Sequence, residues 1–115
     1  MPTIRWWATL SVSAAANGGS GSVSYVPTED VLIKRIFCTE RAAQNLQNVF
    51  CEITFEGEDL TKGAMPMAII GSDSETALPI DKVLHKGNSI VFDVTNYLST
   101  AVTVDIVLEC EKPPA

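Results

Sequence analysis

The chain has 115 residues and a mass of 12.4 kDa, room for one domain around one hydrophobic core. Hydrophobic residues make up 46% and charged residues 19%, a balance too apolar and too weakly charged for a disordered polypeptide. The net charge of −6 argues against nucleic acid as a main partner, because phosphate contacts require clustered Lys and Arg.

No apolar run approaches the ~20 residues of a membrane span, and no basic n-region precedes a secretory h-region. The expectation is a soluble, mildly acidic single domain over residues 1–115. A short N-terminal arm, 1–3, and a Pro-rich C-terminal tail, 112–115, would flank its strands.

Period-two alternation recurs along the whole chain, and helical periodicity is nearly absent. In the first segment Ile4, Trp6, Ala8, Leu10 and Val12 share one face, while Arg5, Trp7, Thr9, Ser11 and Ser13 share the other. Ala15 to Gly21 reads as a turn or flexible loop, since Asn-Gly and Gly-Gly supply the positive φ values of tight connections. A short strand from Ser22 to Val26 follows, stopped by Pro27 and an acidic Thr28-Glu29-Asp30 corner.

Val31 to Cys38 is apolar on both sides, interrupted by Lys34 and Arg35, which points to a more buried strand or a bulged one. Thr39 to Asn48 holds the only helix-forming passage; a turn or two of helix and a polar loop are equally compatible with it. Val49 to Glu56 alternates cleanly and breaks at Gly57-Glu58-Asp59. Met65 to Ile70 is a further strand, with Gly71 to Thr76 a loop after it. Leu78 to Leu84 contains Pro79 and suits a sheet edge. Lys86-Gly87-Asn88 turns the chain into Ile90 to Thr95, and Val102 to Cys110 is the clearest strand of all.

About eight short strands with turn chemistry between them imply an all-β protein, a two-sheet antiparallel β-sandwich or small barrel. Eight strands in two sheets of four is the jelly-roll count, and the jelly roll is the favoured architecture. The Cys…Trp…Cys order of immunoglobulin domains is missing, because both tryptophans precede every cysteine.

Candidate chemistry is sparse. Cys51 and Cys110 fall on inward positions of their strands and read as small core hydrophobes, while pairing among Cys38, Cys51 and Cys110 stays open. His85 is the only histidine, so no multi-His metal site can form within one subunit. Glu56, Glu58 and Asp59, or Asp73 and Glu75, invite a calcium reading, but their spacing does not match the twelve-residue loop, and solvated loop charge is the expectation. No nucleophile elbow, phosphate-binding loop or dinucleotide fingerprint is present. Neither enzyme activity, nor a cofactor, nor a metal is expected.

The adjacent pair Trp6-Trp7 carries the most weight. Neighbouring strand residues point to opposite faces, so both indoles cannot enter one core. If Trp6 packs inside, Trp7 is directed outward, where it would anchor another protein surface or be covered by the chain's own loops. Phe50 presents a weaker case of the same kind beside Glu52 and Thr54, and few lysines guard the free edges. The candidate interface residues are Ile4, Arg5, Trp7, Phe50, Lys112 and Pro113.

Four strings add a resemblance: Ile53-Thr54-Phe55-Glu56-Gly57 with Leu60-Thr61, Leu78-Pro79-Ile80, Lys86 to Asn96, and the terminal strand Val102 to Cys110. Together these resemble small β-sandwich proteins that decorate or cement the capsids of tailed bacteriophages. The resemblance implies a non-enzymatic structural protein of the virion, made in the host cytoplasm and placed on the capsid surface. Its partners would be the major capsid protein and itself, as a homodimer or homotrimer, with neither nucleic acid nor membrane involved. A carbohydrate-binding or receptor-binding module on the same sandwich is the alternative. A cupin-type enzyme ranks below both, because cupin metal sites typically use several histidines.

Overall fold

A computed structural model describes residues 5–42, 44–71 and 77–114 of the chain. Among the described residues nine strands run β1 (Arg5–Ala14), β2 (Gly19–Tyr25), β3 (Val31–Glu40), β4 (Val49–Phe55), β5 (Glu58–Asp59), β6 (Met65–Pro66), β7 (Leu78–Leu84), β8 (Ile90–Asn96) and β9 (Val102–Glu111). Single 3₁₀ turns at Leu46–Asn48 and Met67–Ile69 are the only helical elements among the described residues.

The strands form two antiparallel sheets. One has the order β1-β9-β3-β7; the other has β2-β8-β4-β5, with β6 also paired to β4. β5 and β6 are two short pieces lying along the same outer flank of β4, so the arrangement is four strands facing four in the jelly-roll order. The core lies between the sheets and is built from the alternating positions of the longest strands. Val102, Val104, Ile106 and Leu108 of β9 meet Val49, Cys51 and Ile53 of β4 and Ile90, Phe92 and Val94 of β8, all buried. All three cysteines are buried and unpaired, which resolves the open question of a disulfide.

β3 is bulged. Ile33 pairs with Cys110 and Arg35 with Glu109, so Lys34 is an extra residue with no counterpart on β9. Val31 and Ile33 therefore point inward before the bulge, and Ile36 and Cys38 point inward after it. A strand that looks apolar on both sides is in fact one buried face carried across a one-residue shift.

Two expected boundaries move. Gly19 to Gly21 belong to β2, paired with Asn96, Thr95 and Val94, rather than to a flexible loop. The turn proper is Asn17-Gly18, both at positive φ (60° and 92°), as a tight connection requires. The glycines beyond it are needed for closeness: a Cβ on Gly21 would lie 2.2 Å from the Ser13 carbonyl oxygen. β1 and β2 thus meet backbone to backbone and close one side of the sandwich. Met65 to Ile70 is likewise not one strand: only Met65–Pro66 pairs with β4, and the chain then winds into a 3₁₀ turn that buries Met67. Pro66 has no N–H to extend the ladder.

The other side of the sandwich, between β7 and β5/β6, stays apart. β7 is an edge strand, as its proline suggested, and it is better guarded than its lysine content implied. Pro79 lacks a donor, Asp81 bends the strand at φ 51°, and Lys82 faces solvent.

Asn96 is the polar residue that ties the molecule at its closed end. It is fully buried. Its side-chain amide donates to the carbonyls of Thr100 (2.8 Å), Ala15 (3.3 Å) and Ala14 (3.4 Å), and its Oδ1 accepts the Leu98 N–H at 2.9 Å. One side chain thereby joins the β1–β2 turn to the β8–β9 turn.

Candidate functional site

The strand register places the sequence candidates on different surfaces. β1 alternates so that Trp6, Ala8 and Leu10 pack against the core, while Arg5, Trp7 and Thr9 face outward. Trp7 is 55% exposed, so its indole is left largely open by the described residues. Lys112 and Pro113 follow β9 at the Arg5 end of this sheet, Lys112 exposed and Pro113 half-buried. Phe50 does not join them. It lies on the outward face of the other sheet, edge-on to Tyr97 with ring centroids 5.7 Å apart. Ile4 lies outside the described residues, as do Asp73 and Glu75.

The outer face of the four-stranded sheet holds the richest constellation. Register aligns Trp7, Glu109 and Arg35 in one cross-strand row, and Thr9, Val107 and Phe37 in the next. The Trp7 and Phe37 rings meet edge to face at 5.8 Å, and the Arg35 guanidinium lies 5.8 Å from the Phe37 centroid. Arg35 also grips Glu109 with both ends of its fork, Nε to Oε1 at 2.5 Å and an Nη to Oε2 at 3.1 Å. Arg5 adds a second guanidinium 3.3 Å from Glu109 and donates to Glu111 at 2.6 Å.

Glu109 points outward opposite Trp7, yet it is only 1% exposed, with both arginines paired against its carboxylate. The hydrogen bonds from Arg35 hold its carboxyl below the usual carboxylate range, against the upward push of burial. At the far end of the sheet, Arg41 pairs with Asp105 at 3.0 Å and Ser11 donates to the same carboxylate. Those bonds likewise keep Asp105 low. All three arginines of the chain therefore sit on this face, each neutralised by a carboxylate of β9.

No family model matches the sequence, and no curated protein does either.

The outer face of the five-stranded sheet is different in kind. Its strands carry no Lys or Arg, and Glu52 and Asp93 stand directly opposite one another, both exposed. Like charges at such a pair repel.

His85 forms a small surface cluster. Its ring Nδ1 lies 2.5 Å from Glu56 Oε1, and its backbone N–H donates to the same oxygen at 3.1 Å. The hydrogen bond to Glu56 raises the His85 pKa above its ordinary value, and its reciprocal lowers that of Glu56. Beside the pair, a shallow cleft of about 420 Å³ is lined by Glu56, Glu58, Asp59, Lys82 and His85. Among the described residues no group of three or more His, Cys, Asp or Glu side chains is placed to hold a metal ion, and Glu56 is committed to His85. A second, apolar groove of about 250 Å³ runs between the separated edges, lined by Ile53, Leu60, Met65, Leu78 and Ile80.

Sequence reasoning singled out Trp7 and Arg5 but missed Phe37, Arg35 and Glu109. Arg35 and Phe37 were hidden by the bulge, since strict alternation could not assign their face. Glu109 carries no local sign, because its burial depends on arginines supplied by β1 and β3.

Proposed function

We propose that the protein is a structural component of a virion, decorating or cementing the outer shell of a capsid through protein–protein contacts. The observation that carries this reading is Trp7: a large aromatic held more than half exposed on the outer face of a sheet, braced by Phe37 and set among side chains whose charges are already paired. Exposed aromatics with pre-paired polar neighbours make effective interface anchors, because little further desolvation or ordering is required on binding. The resemblance of Val49 to Cys110 to phage decoration proteins supplies the kind of partner.

The mechanism is thermodynamic. A protein that binds the assembled shell and not its open or broken form stabilises the shell in proportion to RT ln(1 + [L]/Kd). Rigid strands are suited to this role, since the contact surface exists before binding and loses little conformational freedom.

The test is to band particles from cells expressing the wild-type chain or Trp7→Ala on a density gradient, and to assay them for the chain. Wild type at a fixed copy number per shell, with the variant depleted and the particles melting at lower temperature, is the expected outcome. Particles free of the wild-type chain overturn the proposal. Specific glycan-array binding that Trp7→Ala abolishes also overturns it, in favour of a carbohydrate-binding module.

A further inference from the structure

The two outer faces of the sandwich differ in what they can meet. On the five-stranded sheet a second copy would bring Glu52 and Asp93 against Glu52 and Asp93, with no basic residue on any strand to offset them. On the four-stranded sheet each arginine is matched by an acidic partner, so the face is close to neutral although the chain as a whole carries −6. A twofold contact sets one patch against itself, and only a patch without net charge can do so at no Coulomb cost.

The layout of this face also has the anatomy of an interface. Trp7, Phe37, Thr9 and Val107 occupy its middle rows, together with the paired Arg35 and Glu109 of the Trp7 row. Arg5 with Glu111 borders them at one end, and Arg41 with Asp105 and Ser11 at the other. Aromatic side chains and an arginine whose charge is already paired, set within a polar rim, match the composition of protein–protein contacts, where aromatics and arginine are enriched. Both ends carry both signs, so neither orientation of a twofold axis lying in the sheet plane forces like charges together. The size is adequate as well. Three strands about 33 Å long and the shorter β7, about 23 Å, lie about 4.8 Å apart and present roughly 600 Å² on each partner, near the lower bound of stable interfaces.

We propose that the outer face of the four-stranded sheet is the contact through which two copies of this chain pair, face to face, with Trp7 at its centre. This rests on the reading of the protein as an interaction module and names the first partner of the Trp7 surface as a second copy. The shell would then be met by the surfaces the pair leaves outside, the five-stranded face and the open edges, with two copies engaging it at once. Loss of pairing lowers shell occupancy through lost avidity.

The experiment uses the purified full chain without shells, so its outcome is separate from that of the particle assay. Mass is measured by sedimentation equilibrium across a hundredfold concentration range for the wild type, Trp7→Glu, Thr9→Glu and Glu52→Lys. Both glutamate variants lie at exposed positions, and far-UV circular dichroism and a thermal melt check that each keeps the fold. The expected result is twice the 12.4 kDa chain mass for the wild type and Glu52→Lys. At least one folded glutamate variant should then be monomeric, or dissociate at tenfold or higher concentration. A wild type that is monomeric throughout overturns the inference, even where Trp7→Ala still depletes the chain from particles; in that case the Trp7 face meets the shell directly. A dimer unaffected in folded Trp7→Glu and Thr9→Glu overturns it too and places the contact on an edge or on the opposite face.

Discussion

Replacing Asn96 isolates the energetic role of a single buried amide. Of its four hydrogen bonds, the one donated to Thr100 (2.8 Å) and the one accepted from Leu98 (2.9 Å) are short, while those to Ala14 and Ala15 lie at 3.3–3.4 Å. Asn96→Ala leaves the Thr100 carbonyl and the Leu98 N–H without these partners at a part-buried junction. With about 1 kcal/mol net for each well-formed bond and up to ~1–3 kcal/mol for each group left unsatisfied, the expected loss is about 2–4 kcal/mol. Asn96→Asp keeps the volume and the Leu98 bond but turns a donor toward three carbonyl oxygens into an anion facing them. Its carboxyl should therefore hold a proton in the folded state and release it in the unfolded state. The sign follows: the penalty is least below the ordinary Asp pKa, about 3.9, and grows as pH rises above it. Urea unfolding followed by tryptophan fluorescence at pH 4, 5.5 and 7 measures both variants, with unchanged m-values as the check on two-state behaviour. A loss below 1 kcal/mol for Asn96→Ala would refute the reasoning, as would an Asn96→Asp variant that tracks Asn96→Ala at every pH.

Other regions give equally definite expectations. Gly21→Ala forces a methyl group to within 2.2 Å of the Ser13 carbonyl, so β1 and β2 must separate, and a cost at or above the ~1–3 kcal/mol of ordinary overpacking should appear in a thermal melt. Gly57→Ala, which has open space and only its positive φ to contend with, should lose much less. The His85–Glu56 pair should stabilise the fold most between the ordinary carboxylate and imidazole pKa values. The His85 contribution is complete below its ordinary 6.5 and is lost as pH rises through its raised folded value. The Glu56 contribution is complete above its ordinary 4.5 and is lost as pH falls through its lowered folded value. The difference in melting temperature between wild type and His85→Gln from pH 3 to 9 should trace that window, and a flat difference would contradict it. Burial pushes the thiol of Cys38 up to about 12 and those of Cys51 and Cys110 to about 11, so a thiol reagent should find almost no reactive group in the folded protein at pH 8 and all three in denaturant.

Much of the fold was legible because the strands with one buried face write their pattern plainly. β9 places Val102, Val104, Ile106 and Leu108 on one face, and its neighbour β1 does the same with Trp6, Ala8, Leu10 and Val12. The parts that were not legible are those where spatial neighbours, absent from the local sequence, decide. Gly19 and Gly21 look like loop glycines until the backbones of Ala15 and Ser13 are seen pressed against them. Met65 to Ile70 is apolar enough for a strand, but a buried Met67 is reached by a 3₁₀ turn. Asn96, placed between a strand and a turn, gives no local sign that three carbonyls converge on it. For the candidate site, parity identified Trp7 as outward, whereas its companions Phe37 and Arg35 required knowledge of where β3 shifts register.

That irregularity in β3 carries a consequence for how the strand can vary. Lys34 is a surplus member of the strand: with it absent, Ile33 would be followed directly by Arg35, and the in-out rhythm of Val31 through Glu40 would run unbroken with every remaining side chain aimed as it is now. Were the kink instead ironed flat with Lys34 retained, Arg35 and Phe37 would swing into the interior and Ile36 and Cys38 would emerge into water. The strand is thus built to lose a residue at this point more readily than to straighten, and the arginine–aromatic platform owes its position to a spacing rather than to any one side chain within it.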